Sequence, residues 1–335
     1  MATIREIAEY TKLSASTVSI VLNGKSADRN ISEKTTKKIL DAAKVLGYTP
    51  NISARRLRNN NAKKYISVFW ANDYRAPLLF DFINGMQQYI EEAHCDIEIV
   101  LRLYTPDCLS LSAQQEHLSM YSATVICTAS PKDLDYLEKT DFSTPIVLYN
   151  RYSQKYSHAM VENQEIGAKA AEIFASHGRK KAVVFATKTG HYLYSEKRML
   201  GFMNTFSNYE GITTVINTQE NSLTSSYATV REAESLFQNA DCVFCLHDRL
   251  AISYLNYIRN TNLIKVPEEQ EIISIGVRDN DTYDNLYIPL SVIEVPIREM
   301  GYECMRIVTE RLNGDNFEIE SKIVDFTYIP RSTCL

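Results

Sequence analysis

Thr3-Ile-Arg-Glu-Ile-Ala8, Leu13-Ser-Ala-Ser-Thr-Val-Ser-Ile-Val-Leu-Asn23 and Pro50-Asn-Ile-Ser-Ala-Arg-Arg-Leu-Arg58 are the stretches that decide how this chain folds. Ile4, Ile7, Ala8 and Leu13 recur at helical spacing, and Val18, Val21 and Leu22 form a second apolar stripe after a turn of about four residues. Two short helices of this kind bury their stripes against each other. Ser14 stands at the N-cap position, which leaves Ala15, Ser16, Thr17 and Ser19 as short side chains on the exposed start of the second helix. Short side chains let a recognition helix come close to base edges. Ile39, Leu40, Ala43 and Leu46, followed by Gly47, predict a third helix that closes the head. Pro50 then opens a short helix over 51–58, and Asn59-Asn-Asn-Ala-Lys-Lys64 has the composition of a linker. The expected organisation is an all-α helix-turn-helix head at 1–49, a hinge helix and linker at 50–64, and a core at 65–335.

Charge is segregated along the same boundary. Residues 1–64 hold 13 Lys and Arg against 5 Asp and Glu, so a head of +8 precedes a core of −13 in a chain whose net charge is only −5. A basic head on an acidic body is the footprint of phosphate binding. The 335 residues are 45% hydrophobic, enough for buried cores in two or three domains. No charged and apolar leader opens the chain, and no apolar run approaches the roughly 18 residues of a membrane helix. A cytoplasmic protein with no membrane partner is expected. The seven cysteines, at 95, 108, 127, 242, 245, 304 and 334, are odd in number and scattered, unlike a disulfide framework. Cys242-Val-Phe-Cys245 has the spacing of a redox or metal pair. Its apolar run instead reads as a buried strand with the two thiols on opposite faces.

From Tyr65 onward, strand-like runs alternate with helical patterns: Ile66–Trp70, Ile97–Leu101, Val125–Cys127, Ile146–Tyr149, Ala182–Phe185, Val243–Leu246 and Ile272–Ile275. Such alternation predicts parallel sheets wrapped by helices, and two successive sets predict two α/β subdomains facing a cleft. The segments Glu165-Ile-Gly167-Ala168, Gly178-Arg-Lys-Lys-Ala-Val183, Arg198-Met-Leu-Gly-Phe202, Asp248, Ile297-Arg-Glu-Met-Gly301 and Arg331-Ser-Thr333 follow in order. With the head motif they make the chain resemble the LacI/GalR family of bacterial transcription regulators over nearly its whole length.

The resemblance implies a two-subdomain core like that of periplasmic binding proteins. Its N-subdomain is expected at about 65–162 and 293–324 and its C-subdomain at about 163–292 and 325–335, with chain crossings near Asn163, Val292 and Asp325. It implies base contacts from Ala15 and Ser16 in the major groove of operator DNA, and phosphate contacts from Thr17, Ser19, Asn23, Ser32 and Thr35. Thr3, Ser14, Asn51, Ala54, Arg55 and Arg58 complete the implied DNA-binding set. At Ile20 the family usually has Arg, so here only apolar contact with a thymine methyl, or simple packing, is open. Leu57, flanked by arginines, suits a minor-groove wedge that forms when two subunits meet on DNA, with packing on the core as the plainer alternative.

In the cleft the resemblance carries effector contacts onto Thr128, Asn150, Arg198, His247 and Arg278, with Tyr74, Trp70 and Tyr192 as aromatic candidates at the entrance. Sugar-binding members place Asp where Arg278 stands. Arg278 and Arg198 together predict an anionic effector, because paired guanidiniums bind carboxylate or phosphate in a bidentate manner. Pairing of Arg278 with a neighbouring Asp is the alternative. No phosphate-cradling glycine loop, Gly-x-Ser-x-Gly elbow or His-Glu-x-x-His pair occurs, and Glu91-x-x-His94 has no second copy for a di-iron site. No catalytic or metal site and no cofactor is therefore expected, and His94 is expected at a helix C-terminus. The chain stops at Arg331-Ser-Thr-Cys-Leu335 without a heptad tail, which predicts a homodimer rather than a tetramer. The expected protein is a repressor with a small-molecule effector. A solute-binding protein of the same core architecture, a regulator driven by a phosphoprotein co-repressor and an enzyme are the rivals.

Overall fold

The computed structural model describes residues 4–22, 31–46, 63–73, 75–115, 118–187, 193–219, 222–277, 280–314 and 318–335. They form two compact units, Met1–Ala62 and Lys63–Leu335. In the first, helices Ile4–Thr11, Ala15–Leu22 and Glu33–Val45 bury Ile7, Ala8, Val18, Val21, Ile39, Ala42 and Ala43 in one small core. Ile39, Ala42, Ala43 and the half-buried Leu46 repeat at three- and four-residue intervals, so they share a face. Leu40, expected in that stripe, stands about 100° away from Ile39 around the helix and is 44% exposed. The expected hinge helix 51–58 lies outside the described residues.

The second unit contains twelve strands among the described residues. They are β1 (Lys64–Ala71), β2 (Ile97–Tyr104), β3 (Ala123–Cys127), β4 (Ile146–Tyr149), β5 (Ser157–Met160), β6 (Lys181–Thr187), β7 (Ile212–Thr218), β8 (Cys242–Cys245), β9 (Glu271–Gly276), β10 (Ser291–Glu294), β11 (Ser321–Ile323) and β12 (Thr327–Ile329). One sheet runs β11-β5-β4-β3-β1-β2 and the other β12-β10-β9-β8-β6-β7. All neighbours are parallel except β12, which is antiparallel to β10. Helices flank each sheet, giving two doubly wound lobes.

The chain passes between lobes three times. It leaves β5 for helix Asn163–Ser176, leaves β10 for helix Ile297–Asn313, and runs from β11 to β12. The second passage follows Glu294, because Val292–Glu294 still pair with Thr327–Ile329 in the second sheet. Alternation along β8 sends Cys242 and Phe244 into one buried cluster and Val243 and Cys245 into another, so the two free thiols face opposite sides.

Glycines set the closest helix contacts. A Cβ on Gly85 would lie 1.8 Å from the Arg298 carbonyl oxygen, and one on Gly301 2.2 Å from that of Phe82. In the other lobe Gly167 meets the Arg198 carbonyl at 1.8 Å and Gly201 that of Gln164 at 2.0 Å. Each lobe thus joins two helices, Leu79–Glu92 with Ile297–Asn313 and Asn163–Ser176 with Leu193–Asn208, at a distance only hydrogen side chains permit. No helix of the described residues is long and apolar enough to cross a membrane.

Candidate functional site

In the head, the Ser14 hydroxyl accepts from the Thr17 amide at 3.1 Å, as an N-cap should. It also lies 2.9 Å from the Ser16 hydroxyl and 2.8 Å from that of Thr17, so the start of the helix presents a connected hydroxyl cluster. Val18 and Val21 point inward, while Ala15 and Ser16 are exposed and Ser19 and Ile20 half-buried on the other side. Ser32 caps the third helix in the same way, accepting from the Thr35 amide at 3.2 Å and meeting its hydroxyl at 2.9 Å. Both Ser14 and Ser32 therefore hold helix starts as well as facing solvent. Thr3, Asn23, Asn51, Ala54, Arg55, Leu57 and Arg58 lie outside the described residues.

Between the lobes of the second unit is a cavity of about 100 Å³. Thr128, Asn150, Arg198 and His247 all line it; Tyr74, Tyr192 and Arg278 lie outside the described residues. The position follows from topology. Thr128 and Asn150 directly follow β3 and β4, and His247 follows β8 by two residues, so they stand at the carboxyl ends of parallel strands where α/β sheets form crevices. Thr128 and Asn150 both adopt left-handed backbone angles, φ 60° and 50°. For a β-branched Thr this is a strained conformation, of the kind that clusters at ligand sites. The Thr128 hydroxyl donates to the Cys127 carbonyl at 2.7 Å and accepts from the Ala71 amide at 3.3 Å, tying the ends of β1 and β3 together.

Side chains from both lobes meet across the cavity. Asn163 receives the Arg198 Nε–H at 2.8 Å and donates to Asn150 Oδ1 at 3.3 Å, linking first-lobe Asn150 to second-lobe Arg198. Arg151 donates to the carbonyls of Ala129 and Asn150 and stacks its guanidinium 4.8 Å from the Tyr194 ring, whose hydroxyl accepts from the Tyr152 amide at 2.8 Å. Arg75 forms an ion pair with Asp73 and donates to the Thr128 carbonyl at 3.2 Å. His247 lies 3.4 Å from the Ser195 hydroxyl; burial, then Arg198, Arg75 and Arg249, push its pKa down to about 3. It is a neutral imidazole at pH 7.

Arg75, Arg151, Arg249, Tyr194 and Ser195 join the cavity without having been anticipated from sequence. Two signals point to them: Arg151 adjoins Asn150 just beyond β4, and Tyr194 and Ser195 precede Arg198 by one helical turn. Trp70, expected at the entrance, is instead fully buried, 5.4 Å from the Phe82 ring and 5.6 Å from that of Tyr149. It belongs to β1, where the first sheet is covered on both faces, and the larger apolar area wins. His94 follows helix Leu79–Glu92 by two residues, in a left-handed turn at φ 49°. Away from the cavity, His177, Glu271 and Cys334 bring possible metal ligands within 4.8 Å of one another. Glu271 lies there 3.0 Å from His177 and 3.2 Å from the Arg179 guanidinium, so a cation already faces its carboxylate.

A helix-turn-helix head and a two-lobed core with a cleft between the lobes, carried on one chain, define a class: DNA-binding regulators with a ligand-binding core. Residues 3–51 match the family model for bacterial regulatory proteins of the lacI family, and residues 171–334 that for a periplasmic binding protein-like domain. The sucrose operon repressor of Streptococcus mutans is 26% identical over 93% of each chain. A LacI family transcription regulator from Clostridium acetobutylicum superimposes with a TM-score of 0.74, at 27% identity, over 80% of this chain and all of that one. The lac repressor dimer bound to operator and an anti-inducer gives a TM-score of 0.72 at 16% identity, over 100% of this chain and 99% of that one. The chain belongs to the LacI family of bacterial transcription regulators, and the relatives it matches are transcription regulators.

Proposed function

We propose that this chain is a cytoplasmic repressor that binds a palindromic operator as a homodimer and is controlled by a small-molecule effector in the interlobe cleft. The observation that carries the reading is the exposed, short-chained face of helix Ala15–Leu22, set on a strongly basic head and joined to a cleft-bearing core. One head per chain reads one half-site, so a two-fold dimer reads two. The sucrose operon repressor and the operator-bound lac repressor dimer support the repressor and dimer readings. Ala15 and Ser16 read bases, the hydroxyls of Thr17, Ser19, Ser32 and Thr35 take phosphates, and Leu57 wedges the minor groove at the operator centre. Effector binding acts by favouring one lobe arrangement over the other, which requires different affinities for the two states.

Selection of bound sites from the organism's own DNA, followed by footprinting, tests this. The expected footprint is symmetric, with two half-sites about a central step, and Ser16→Ala changes base preference at symmetric positions in both halves. A single unpaired half-site, or preference unchanged in the variant, overturns the reading.

A further inference from the structure

The cleft lies at the carboxyl ends of the strands, and a separate cluster stands at the amino ends of the second sheet. Glu271 opens β9 level with Cys242, the first residue of β8, so it is at the opposite edge of the sheet from His247. His177 caps the C-terminus of helix Asn163–Ser176. Cys334 is brought alongside by backbone bonding. The Thr333 carbonyl accepts from the Ile272 amide at 2.9 Å, the Thr333 hydroxyl donates to the Ile272 carbonyl at 2.8 Å, and the Ser291 hydroxyl accepts from the Cys334 amide at 3.0 Å. His177 is 94 residues from Glu271 and 157 from Cys334, so no short motif announces the set.

His177 Nδ1 lies 3.0 and 3.1 Å from the two Glu271 carboxylate oxygens and 3.9 Å from Cys334 Sγ, and one ligand atom from each residue lies within 4.8 Å of the others. Carboxylate and thiol thus face the same ring nitrogen. Where a histidine activates a thiol, the two groups hold opposite nitrogens, one end taking the proton while the other orients the ring. Convergence on Nδ1 fits donors that share one ion. Tetrahedral bonds of about 2.0–2.3 Å set ligand atoms about 3.4–3.6 Å apart, and the observed separations bracket that range. Thiolate sulfur with imidazole nitrogen and one carboxylate suits Zn²⁺, whereas Mg²⁺ and Ca²⁺ take oxygen. Arg179 stands 3.2 Å from Oε2, where its buried Nε makes no hydrogen bond among the described residues, so Oε1 is left to ligate while the guanidinium steadies the carboxylate. Glu271 and Cys334 are less than a tenth exposed, but the His177 side chain is 30% exposed, which gives an ion a way in and water a side from which to act as fourth ligand. We propose that His177, Glu271 and Cys334 bind a zinc ion that clamps the segment 331–334 to β9 and to the end of helix Asn163–Ser176. The site would exist whatever the cleft binds.

Titration of the full chain with Zn²⁺, Co²⁺ and Mg²⁺ tests it, on protein without a histidine tag, stripped with EDTA and with its thiols kept reduced. One equivalent of Zn²⁺ is expected to bind at micromolar affinity or tighter and to raise the melting temperature, and Mg²⁺ to do neither. Co²⁺ is expected to give the thiolate-to-metal absorption band of cysteine ligation, and Cys334→Ser to abolish it. His177→Gln, which spares the core at an exposed helix end if the first variant folds poorly, should weaken Zn²⁺ by about tenfold to a hundredfold or more. A band that survives in Cys334→Ser puts the ion on other thiols, such as the half-buried Cys95 or Cys108, and overturns the proposal. So does a wild type that Zn²⁺ stabilises no more than Mg²⁺, or unchanged Zn²⁺ affinity in His177→Gln; either would show a hydrogen-bonded cluster that holds no metal.

Discussion

His247 shows how one residue reports on its surroundings. Burial and the nearby guanidiniums of Arg198, Arg75 and Arg249 lower its pKa from 6.5 to about 3. In the unfolded chain the imidazole takes up a proton as pH falls through 6.5, while in the folded chain it resists until about 3. Unfolding therefore binds a proton throughout this window, so the contribution of His247 to stability is complete above pH 6.5 and is lost as pH falls towards 3. The loss accumulates at up to about 1.4 kcal/mol per pH unit. His247→Gln is expected to flatten the fall in melting temperature between pH 6.5 and pH 4 relative to wild type. Parallel curves for the two proteins would falsify the picture of a histidine held neutral by its neighbours.

At the scale of elements, the cleft depends on how closely two helices approach. Gly167 lets helix Asn163–Ser176 rest on the Arg198 carbonyl, so a methyl group there must push away the helix that carries Tyr194, Ser195 and Arg198. Gly167→Ala should cost about 2–3 kcal/mol as overpacking and weaken the cleft's ligand at the same time; urea midpoints and calorimetry would read the two effects. A wild-type midpoint in the variant would mean that the helices shift freely. The sequence shows Gly167 and Gly201 but not this contact, because their partners are backbone carbonyls distant in the chain. The same limit explains the strands. Runs such as Ile146–Tyr149 announce buried strands, whereas β5, Ser-His-Ala-Met, and the three-residue β11 and β12 carry too little apolar pattern. The edge strand β7, Ile-Thr-Thr-Val-Ile-Asn-Thr, mixes polar and apolar residues without a clean alternation, leaving Ile212 exposed and Thr218 buried. Thr128, Asn150, Arg198 and His247 line the cavity, and Arg75 and Arg151 join them only through the folded arrangement of the chain. Leu40 and Trp70 show the converse: hydrophobicity was plain, and which way it faced was not.

At the scale of the whole molecule the sign of the charge changes between the two compact units. Residues 1–62 carry 11 basic against 5 acidic side chains, and residues 63–335 carry 25 against 36. A chain of net charge −5 would be repelled by DNA if that charge were spread evenly. Segregation makes the head attract phosphate while the core is kept off, which favours encounters that lead with the head. Each phosphate neutralised by the head releases condensed counterions, so affinity falls as a power of salt concentration. For two heads making on the order of six to ten phosphate contacts in all, affinity should drop roughly a thousandfold or more between 50 and 200 mM salt. The fragment 63–335 provides the contrast. It should fold, keep the cleft's ligand response, and show no DNA retention even at about 50 mM salt, where long-range attraction is least screened. Fluorescence anisotropy with labelled operator would measure both. A full-length protein whose affinity ignores salt, or a core fragment that holds DNA unaided, would show that the basic head is not what grips the duplex.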